Sequence, residues 1–246
     1  MAGGSPSVVV VIAAGTGSRL RSDQGVPKPL LELGGRALIL RVLDRFAEAG
    51  VSEAVVVVGY RADEVRAGVE SGAPALPVTF VTNPRYLMSN GLSVLAAKGA
   101  VGARPFFLSM ADHVFEASLI RGLAAAPLPE AGLVLAVDRK LDTIFDMDDA
   151  TKVRTAGDRI AAIGKQLGDF DAVDTGLFAC APELFGFIEA AAGTREDGDC
   201  TLSDGVTEMV ASGRALVHDI GDGLWQDVDT PEARDHALRL FGQRAF

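Results

Sequence analysis

Cysteine, tryptophan, tyrosine, histidine and lysine are all scarce in this 246-residue chain, and each shortage excludes something. The two cysteines, Cys180 and Cys200, are too few for a disulfide framework and stand in no metal-ligand spacing, so the chain reads as a reduced, cytoplasmic protein. The three histidines, His113, His218 and His236, are scattered, with no cysteine, serine or second histidine at ligand or triad spacing. They read as structural, with His113 a neighbour of Asp112. One tryptophan and two tyrosines weigh against an aromatic cage for a choline group. No apolar run approaches the roughly 20 residues that cross a bilayer. The longest, residues 8–14, is strand-sized, so no membrane insertion is expected. Residues 1–7 lack a charged n-region and read as a flexible leader, not a signal peptide. Positive charge is short as well: 23 Lys+Arg against 33 Asp+Glu give a net charge of −10, which argues against nucleic acid as a partner. A nucleotide substrate stays open, because one triphosphate needs only a few cations, backbone amides and a metal.

What is present is a strand–helix rhythm. Apolar, strand-like runs fall at 8–13, 54–58, 78–81, 106–110, 133–137, 172–179, 215–220 and 224–228. Several are continuous Val/Ile/Leu, as in parallel strands covered on both faces. Helical spacing is clearest in Ile39, Val42, Leu43 and Phe46, with Gly50 as a stop. Further helices are expected at 63–69, 92–98, 118–125, 183–191, 202–211 and 232–241. The alternation implies an α/β fold, a mostly parallel Rossmann-like mixed sheet with helices on both faces. The acidic, turn-rich stretch 142–163 breaks the rhythm and reads as a small antiparallel excursion. One domain over 8–246 is expected, with a substrate-binding lobe at about 138–180.

The first strand runs into Gly15-Thr16-Gly17-Ser18-Arg19-Leu20, and Pro27-Lys28-Pro29-Leu30 follows. Glycines let backbone amides approach phosphate closely, and Arg19 and Lys28 add charge. A tight βα turn alone would also fit Gly-x-Gly. The dinucleotide fingerprint fails at Leu20, and the P-loop pattern is absent. Two further strands end in carboxylates, Asp112 after Phe106-Phe107-Leu108-Ser109-Met110-Ala111 and Asp227 after Leu224-Trp225-Gln226. Ligands of open α/β sheets bind beyond such strand ends. Each carboxylate would equally serve as a helix cap.

The run A-A-G-T-G-S-R-L with P-K-P-L resembles the N-terminal signature of the sugar-nucleotide pyrophosphorylase and cytidylyltransferase family. The resemblance implies a GT-A-like fold in which Ala13, Ala14, Gly15, Thr16 and Gly17 hold the nucleotide. It implies that Arg19, Lys28, Asp112 and Asp227 act in catalysis, and that Asp112 and Asp227 bind Mg²⁺ together. Hard oxygen ligands suit that ion. Asp229 stands where many relatives have glycine and, ahead of Pro231 and Glu232, reads better as a cap than as a ligand. Asn83, Asn90, Gly91 and Ser93 replace the Gly-Thr-Ala stretch of hexose-1-phosphate enzymes with groups suited to a pyrimidine.

The combination L-S-M-A-D-H-V-F-E, D-A-T-K-V, I-G-K, D-T-G-L-F and W-Q-D-V-D-T-P-E is similar to the CTP:inositol-1-phosphate cytidylyltransferases, over residues 8 to about 240. The implied substrates are CTP and a phosphorylated polyol, inositol 1-phosphate, and the implied products are CDP-inositol and pyrophosphate. Lys152, Lys165, Asp174, Thr175 and Gly176 would then meet the acceptor. Asp142, Asp146, Asp148 and Asp149 read as a solvated acidic loop. The same resemblance suggests a functional link to a membrane CDP-alcohol phosphotransferase. A homodimer stays open, and so do a different phosphorylated acceptor (phosphocholine, a phosphonate or a hexose 1-phosphate) and a non-catalytic nucleotide-sensing role.

Overall fold

The computed structural model describes residues 5–17 and 25–242. In chain order its elements are β1 (Val8–Ala13), the short β2 (Glu32–Leu33) and β3 (Arg36–Ala37), α1 (Leu38–Glu48), β4 (Glu53–Val58), α2 (Ala62–Ser71), β5 (Val78–Thr82), α3 (Asn90–Ala96), α4 (Lys98–Val101), β6 (Phe106–Met110), β7 (His113–Phe115), α5 (Ala117–Ala125), β8 (Leu133–Asp138), β9 (Lys152–Ala156), β10 (Arg159–Gly164), β11 (Ala172–Cys180), α6 (Leu184–Gly193), α7 (Leu202–Ala211), β12 (Ala215–Asp219), β13 (Trp225–Asp227) and α8 (Pro231–Phe241). Each strand and helix expected from the apolar patterning is there.

The main sheet has the order β5-β4-β1-β6-β11-β8-β12-β10-β9. β5, β4, β1 and β6 are parallel, and β8 and β12 are parallel to each other. β11 lies between β6 and β8, antiparallel to both. β9 and β10 form an antiparallel hairpin across Gly157-Asp158, a two-residue connection suited to a tight turn. β9 also pairs with the start of β11.

Strand periodicity explains the layers. Val8, Val10 and Ile12 of β1 enter one core with Leu92, Ile188 and Val206 of α3, α6 and α7. Val9, Val11 and Ala13 enter the other, with Ile39, Val65 and Ile120 of α1, α2 and α5. Successive strand residues point to opposite faces, so a run of valines fills both at once. A third apolar cluster joins Val114 of β7 to Val228, Ala237 and Phe241 at the C-terminal helix. Among the described residues β13 pairs with β7 alone, Asp227 opposite His113, which sets the late carboxylate beside the end of β6.

Candidate active site

Two cavities meet above the carboxyl ends of β1 and β6. The smaller, about 240 Å³, is bordered by Ala13, Gly15, Thr16, Gly17, Lys28, Asp112 and Asp229. The larger, about 590 Å³, continues past Asp112 and Asp229 toward Asn90, Ser93, Lys165, Asp174 and Asp227. Gly15, Asp112 and Asp229 belong to both walls, so the glycine loop and the far cavity share one junction.

Lys28 sits at that junction. It begins a single 3-10 turn, Lys28–Leu30, which Pro27 and Pro29 restrict. Its side chain is 10% exposed and reaches Asp112 Oδ2 at 2.6 Å and Asp229 Oδ1. Gly17, at φ +60, makes room: a Cβ there would lie 2.7 Å from the Lys28 Cβ. Burial works against the Lys28 charge, but Asp112 and Asp229 outweigh it and hold the pKa above the ordinary lysine value. Burial likewise opposes ionisation of Asp112, yet Lys28 and His113 hold its carboxyl far below the usual range.

His113 Nδ1 lies 2.8 Å from Asp112 Oδ1, and its ring stacks on Trp225. Burial disfavours its charge. The Asp112 hydrogen bond, with the charges of Asp112, Asp227 and Asp229, raises its pKa nonetheless. Asp227 is pushed up, first by burial and then by Asp229 and Asp112, against the opposing pull of His113 and Lys28. Among the described residues the site therefore gathers more carboxylates than cations, a setting that favours a divalent ion. Asp149, Asp227 and Asp229 each present an oxygen within 4.8 Å of the others. Such hard donors fit Mg²⁺.

The structure does not bring every expected residue to the cavities. Arg19 lies outside the described residues. Ala14 is buried, and its carbonyl takes the Tyr60 amide at 3.0 Å. Asn83 is buried too, donating to Ser93 Oγ at 2.9 Å and accepting from the Arg85 amide, so it positions Ser93 instead of facing the cavity. Asn90 borders the cavity while its amide oxygen accepts from Leu202 N at 2.9 Å. Gly91 packs on Cys200, whose carbonyl would sit 2.6 Å from a Cβ, so helix packing explains this glycine. Thr175 is fully buried, its hydroxyl donating to Ala136 O, and cannot grip an acceptor. Lys152 is 8% exposed and donates to Asp148 O at 3.0 Å, which ties it to the preceding loop. Gly176 and Asp174 do face the cavity. Gly176, at φ +75, leaves room for the His113 ring. Lys165 also borders the cavity, with Nζ 2.7 Å from Asp149 Oδ1.

Two assignments of acidic residues need correction. Asp149 does not belong to a solvated loop but folds inward against Asp227 and Asp229. Asp229 does not cap the last helix. Thr230 is the N-cap, its hydroxyl accepting from Ala233 N at 3.1 Å, and Asp229 takes Lys28 instead.

Among curated proteins, the chain is 39% identical over 225 residues to the "Bifunctional IPC transferase and DIPP synthase" of Rubrobacter xylanophilus, covering 90% of this chain and 49% of that protein. It is 36% identical over 223 residues to the protein of the same name from Archaeoglobus fulgidus, covering 91% of this chain and 41% of the relative. The chain thus spans about half the length of these relatives, or less. Among solved structures it resembles the inositol-1-phosphate CTP transferase from T. maritima, with TM-score 0.85, 28% identity and coverage of 98% of this chain and 97% of that one. The model of the MobA-like NTP transferase domain matches residues 9–176, a stretch that carries β1, the glycine loop, Lys28 and Asp112. Since that match takes in well over half the chain, the protein belongs to the MobA-like NTP transferase family.

Proposed function

We propose that the chain transfers CMP from CTP to inositol 1-phosphate, giving CDP-inositol and pyrophosphate. The observation that carries the reading is the shared junction: Lys28, Asp112 and Asp229 stand between a glycine-loop cavity and a larger one with Lys165 and Asp174 on its wall. The T. maritima inositol-1-phosphate CTP transferase supports these substrates, and the likeness to the bifunctional transferases agrees with it. In this reading the fold is a GT-A-like single domain over residues 8–246. The β9–β10 hairpin and its flanks, about 138–180, form the acceptor lobe. The setting is cytoplasmic.

The CTP β- and γ-phosphates rest on the amides of Gly15–Gly17, and the role given to Arg19 is to add positive charge for them. The cytosine faces Asn90 and Ser93. The acceptor phosphate lies toward Lys165, and its polyol hydroxyls donate to Asp174. A phosphate monoester is anionic near neutral pH, so one of its oxygens attacks the α-phosphorus without a general base. The bond from the α-phosphorus to the bridging oxygen breaks, and pyrophosphate leaves. Lys28 neutralises charge that develops at the α-phosphate. Asp227, with Asp229 and Asp149, would hold Mg²⁺, and Asp112, which takes Lys28 and His113 in this structure, would join them as a ligand. When bound, that ion neutralises phosphate charge and aligns the reacting groups. The remaining work is positioning and charge.

The test is pyrophosphate release with Mg²⁺, each of four NTPs being paired with a panel of phosphorylated small molecules. Release with CTP plus inositol 1-phosphate supports the proposal. Release with a different pair overturns the base or acceptor assignment. No release with any pair overturns the activity.

A further inference from the structure

Asp138 ends β8 and is 3% exposed, yet it borders the larger cavity. Its carboxylate accepts three hydrogen bonds. Trp225 Nε1 donates to Oδ2 at 2.9 Å, and the Lys140 amide and ammonium both donate to Oδ1 at 2.8 Å. Lys140 Nζ continues to the carbonyls of Gly221 at 2.7 Å and Gly223 at 3.3 Å, in the loop before β13. The other side of this hub leads to the reaction centre. The Trp225 ring stacks on His113 with centroids 6.0 Å apart and planes 14° from parallel, and His113 holds Asp112 at 2.8 Å.

The topology gives this chain of contacts its weight. β13 carries Asp227 but, among the described residues, joins no strand of the main sheet and pairs with β7 alone, over Trp225, Gln226 and Asp227. A ribbon of that length does not hold its own geometry in water. The indole bond to Asp138 fastens it to β8, two residues before Asp227. We infer that Asp138 is a positioning residue for nucleotidyl transfer: through the Trp225 indole it fixes the β7–β13 ribbon, and with it Asp112 and Asp227, against the main sheet. Lys140 acts on the other oxygen: its ammonium joins Asp138 Oδ1 to the carbonyls of Gly221 and Gly223, while its backbone amide, which any side chain keeps, holds Oδ1 in place for the indole contact at Oδ2.

The kinetic arm of the test rests on the transferase reaction proposed above; the spectroscopic arm does not. Trp225 is the single tryptophan, so its emission reports this one contact. Asp138→Ala removes the acceptor, Asp138→Asn keeps an oxygen for the indole, and Lys140→Met removes the loop tie. Acrylamide quenching of full-length protein should rise about twofold in Asp138→Ala, stay near wild type in Asp138→Asn, and change little in Lys140→Met. With CTP and inositol 1-phosphate, kcat should fall on the order of 10- to 100-fold in Asp138→Ala, as for loss of a buried hydrogen bond to a charged group, while KM for CTP moves less than threefold. Asp138→Asn should recover most of that kcat. If Asp138→Ala does not fold, Lys140→Met and Asp138→Asn still decide. Quenching in Lys140→Met that rises twofold, or Asp138→Asn with fully exposed tryptophan emission, would overturn the inference. Wild-type quenching in a folded Asp138→Ala would overturn it as well. An inactive wild-type enzyme with the quenching pattern intact would remove the transferase reading and leave the ribbon anchor standing.

Discussion

Lys28 donates to Asp112 at 2.6 Å although 84 residues separate them, and this contact joins the turn after the glycine loop to the end of β6. The pair is mostly shielded from water, where a charge positioned for a developing phosphate acts most strongly. Lys28→Ala should therefore fold and bind CTP but lose on the order of 100-fold or more in kcat. Circular dichroism and steady-state kinetics at saturating Mg²⁺ check this. A kcat near wild type would take Lys28 out of the chemistry.

The last helix separates two roles that stand side by side. Thr230 accepts the Ala233 amide and caps α8, whereas Asp229 takes the Lys28 ammonium. Thr230→Ala should lower stability by about 1 kcal/mol, the usual loss of an N-cap, with kcat little changed. Asp229→Asn should do the reverse, keeping stability while kcat falls and the Mg²⁺ requirement rises. Chemical denaturation and a Mg²⁺ titration distinguish them. Unchanged stability in Thr230→Ala would take the cap away from Thr230.

Much of this site was legible in the sequence because its parts stand where strands end. The valine run 8–13, the glycines after it, and the carboxylates after residues 106–110 and 224–226 all declare a position in an open sheet. What stayed hidden has local causes. Asp149 sits among Asp142, Asp146 and Asp148, and nothing in that stretch says which carboxylate turns inward. Asp229 precedes Thr230-Pro231, so both residues fit cap chemistry and only the fold assigns it. Thr175 lies between Asp174 and Gly176 on β11, where the register against β8 shifts and Gly176 takes φ +75, so plain alternation does not fix its face. The partner that Lys152 finds in the Asp148 carbonyl was equally hidden from the sequence.

The two lysines of the acceptor lobe should separate cleanly. Lys165 is half exposed, pairs with Asp149 and borders the cavity, whereas Lys152 is buried with a backbone carbonyl. Lys165→Met should raise the acceptor KM about tenfold or more, as loss of a charge-assisted contact does, with little change in melting temperature. Lys152→Met should shift the melting temperature more than the acceptor KM, because the loop at Asp148 loses its tie. Calorimetry and a KM series for each substrate check both. A selective rise in the CTP KM for Lys165→Met would move that residue to the nucleotide side.

Asp174 offers the clearest pH dependence. Burial raises its carboxyl to about 6 from 3.8, against the pull of the Gly176 amide, which it accepts at 2.7 Å, and of His113. In the window between those two values the folded chain holds a proton that the unfolded chain has released. Stability contributed by this group therefore falls as pH rises from about 4 to about 6, and stays reduced above that. Asp174→Asn keeps an oxygen for the Gly176 amide and never ionises. It should be more stable than wild type at pH 8, by up to about 3 kcal/mol, and the advantage should vanish near pH 4. The same change should raise the acceptor KM, since a neutral amide accepts hydroxyl hydrogen bonds more weakly than a carboxylate. Denaturation curves across pH 4 to 8, run beside acceptor KM measurements at pH 8, test both halves. An Asp174→Asn protein less stable than wild type at pH 8 would mean that the ionised carboxylate is held favourably. A gain in stability with an unchanged acceptor KM would instead leave burial as the cause and remove Asp174 from the acceptor site.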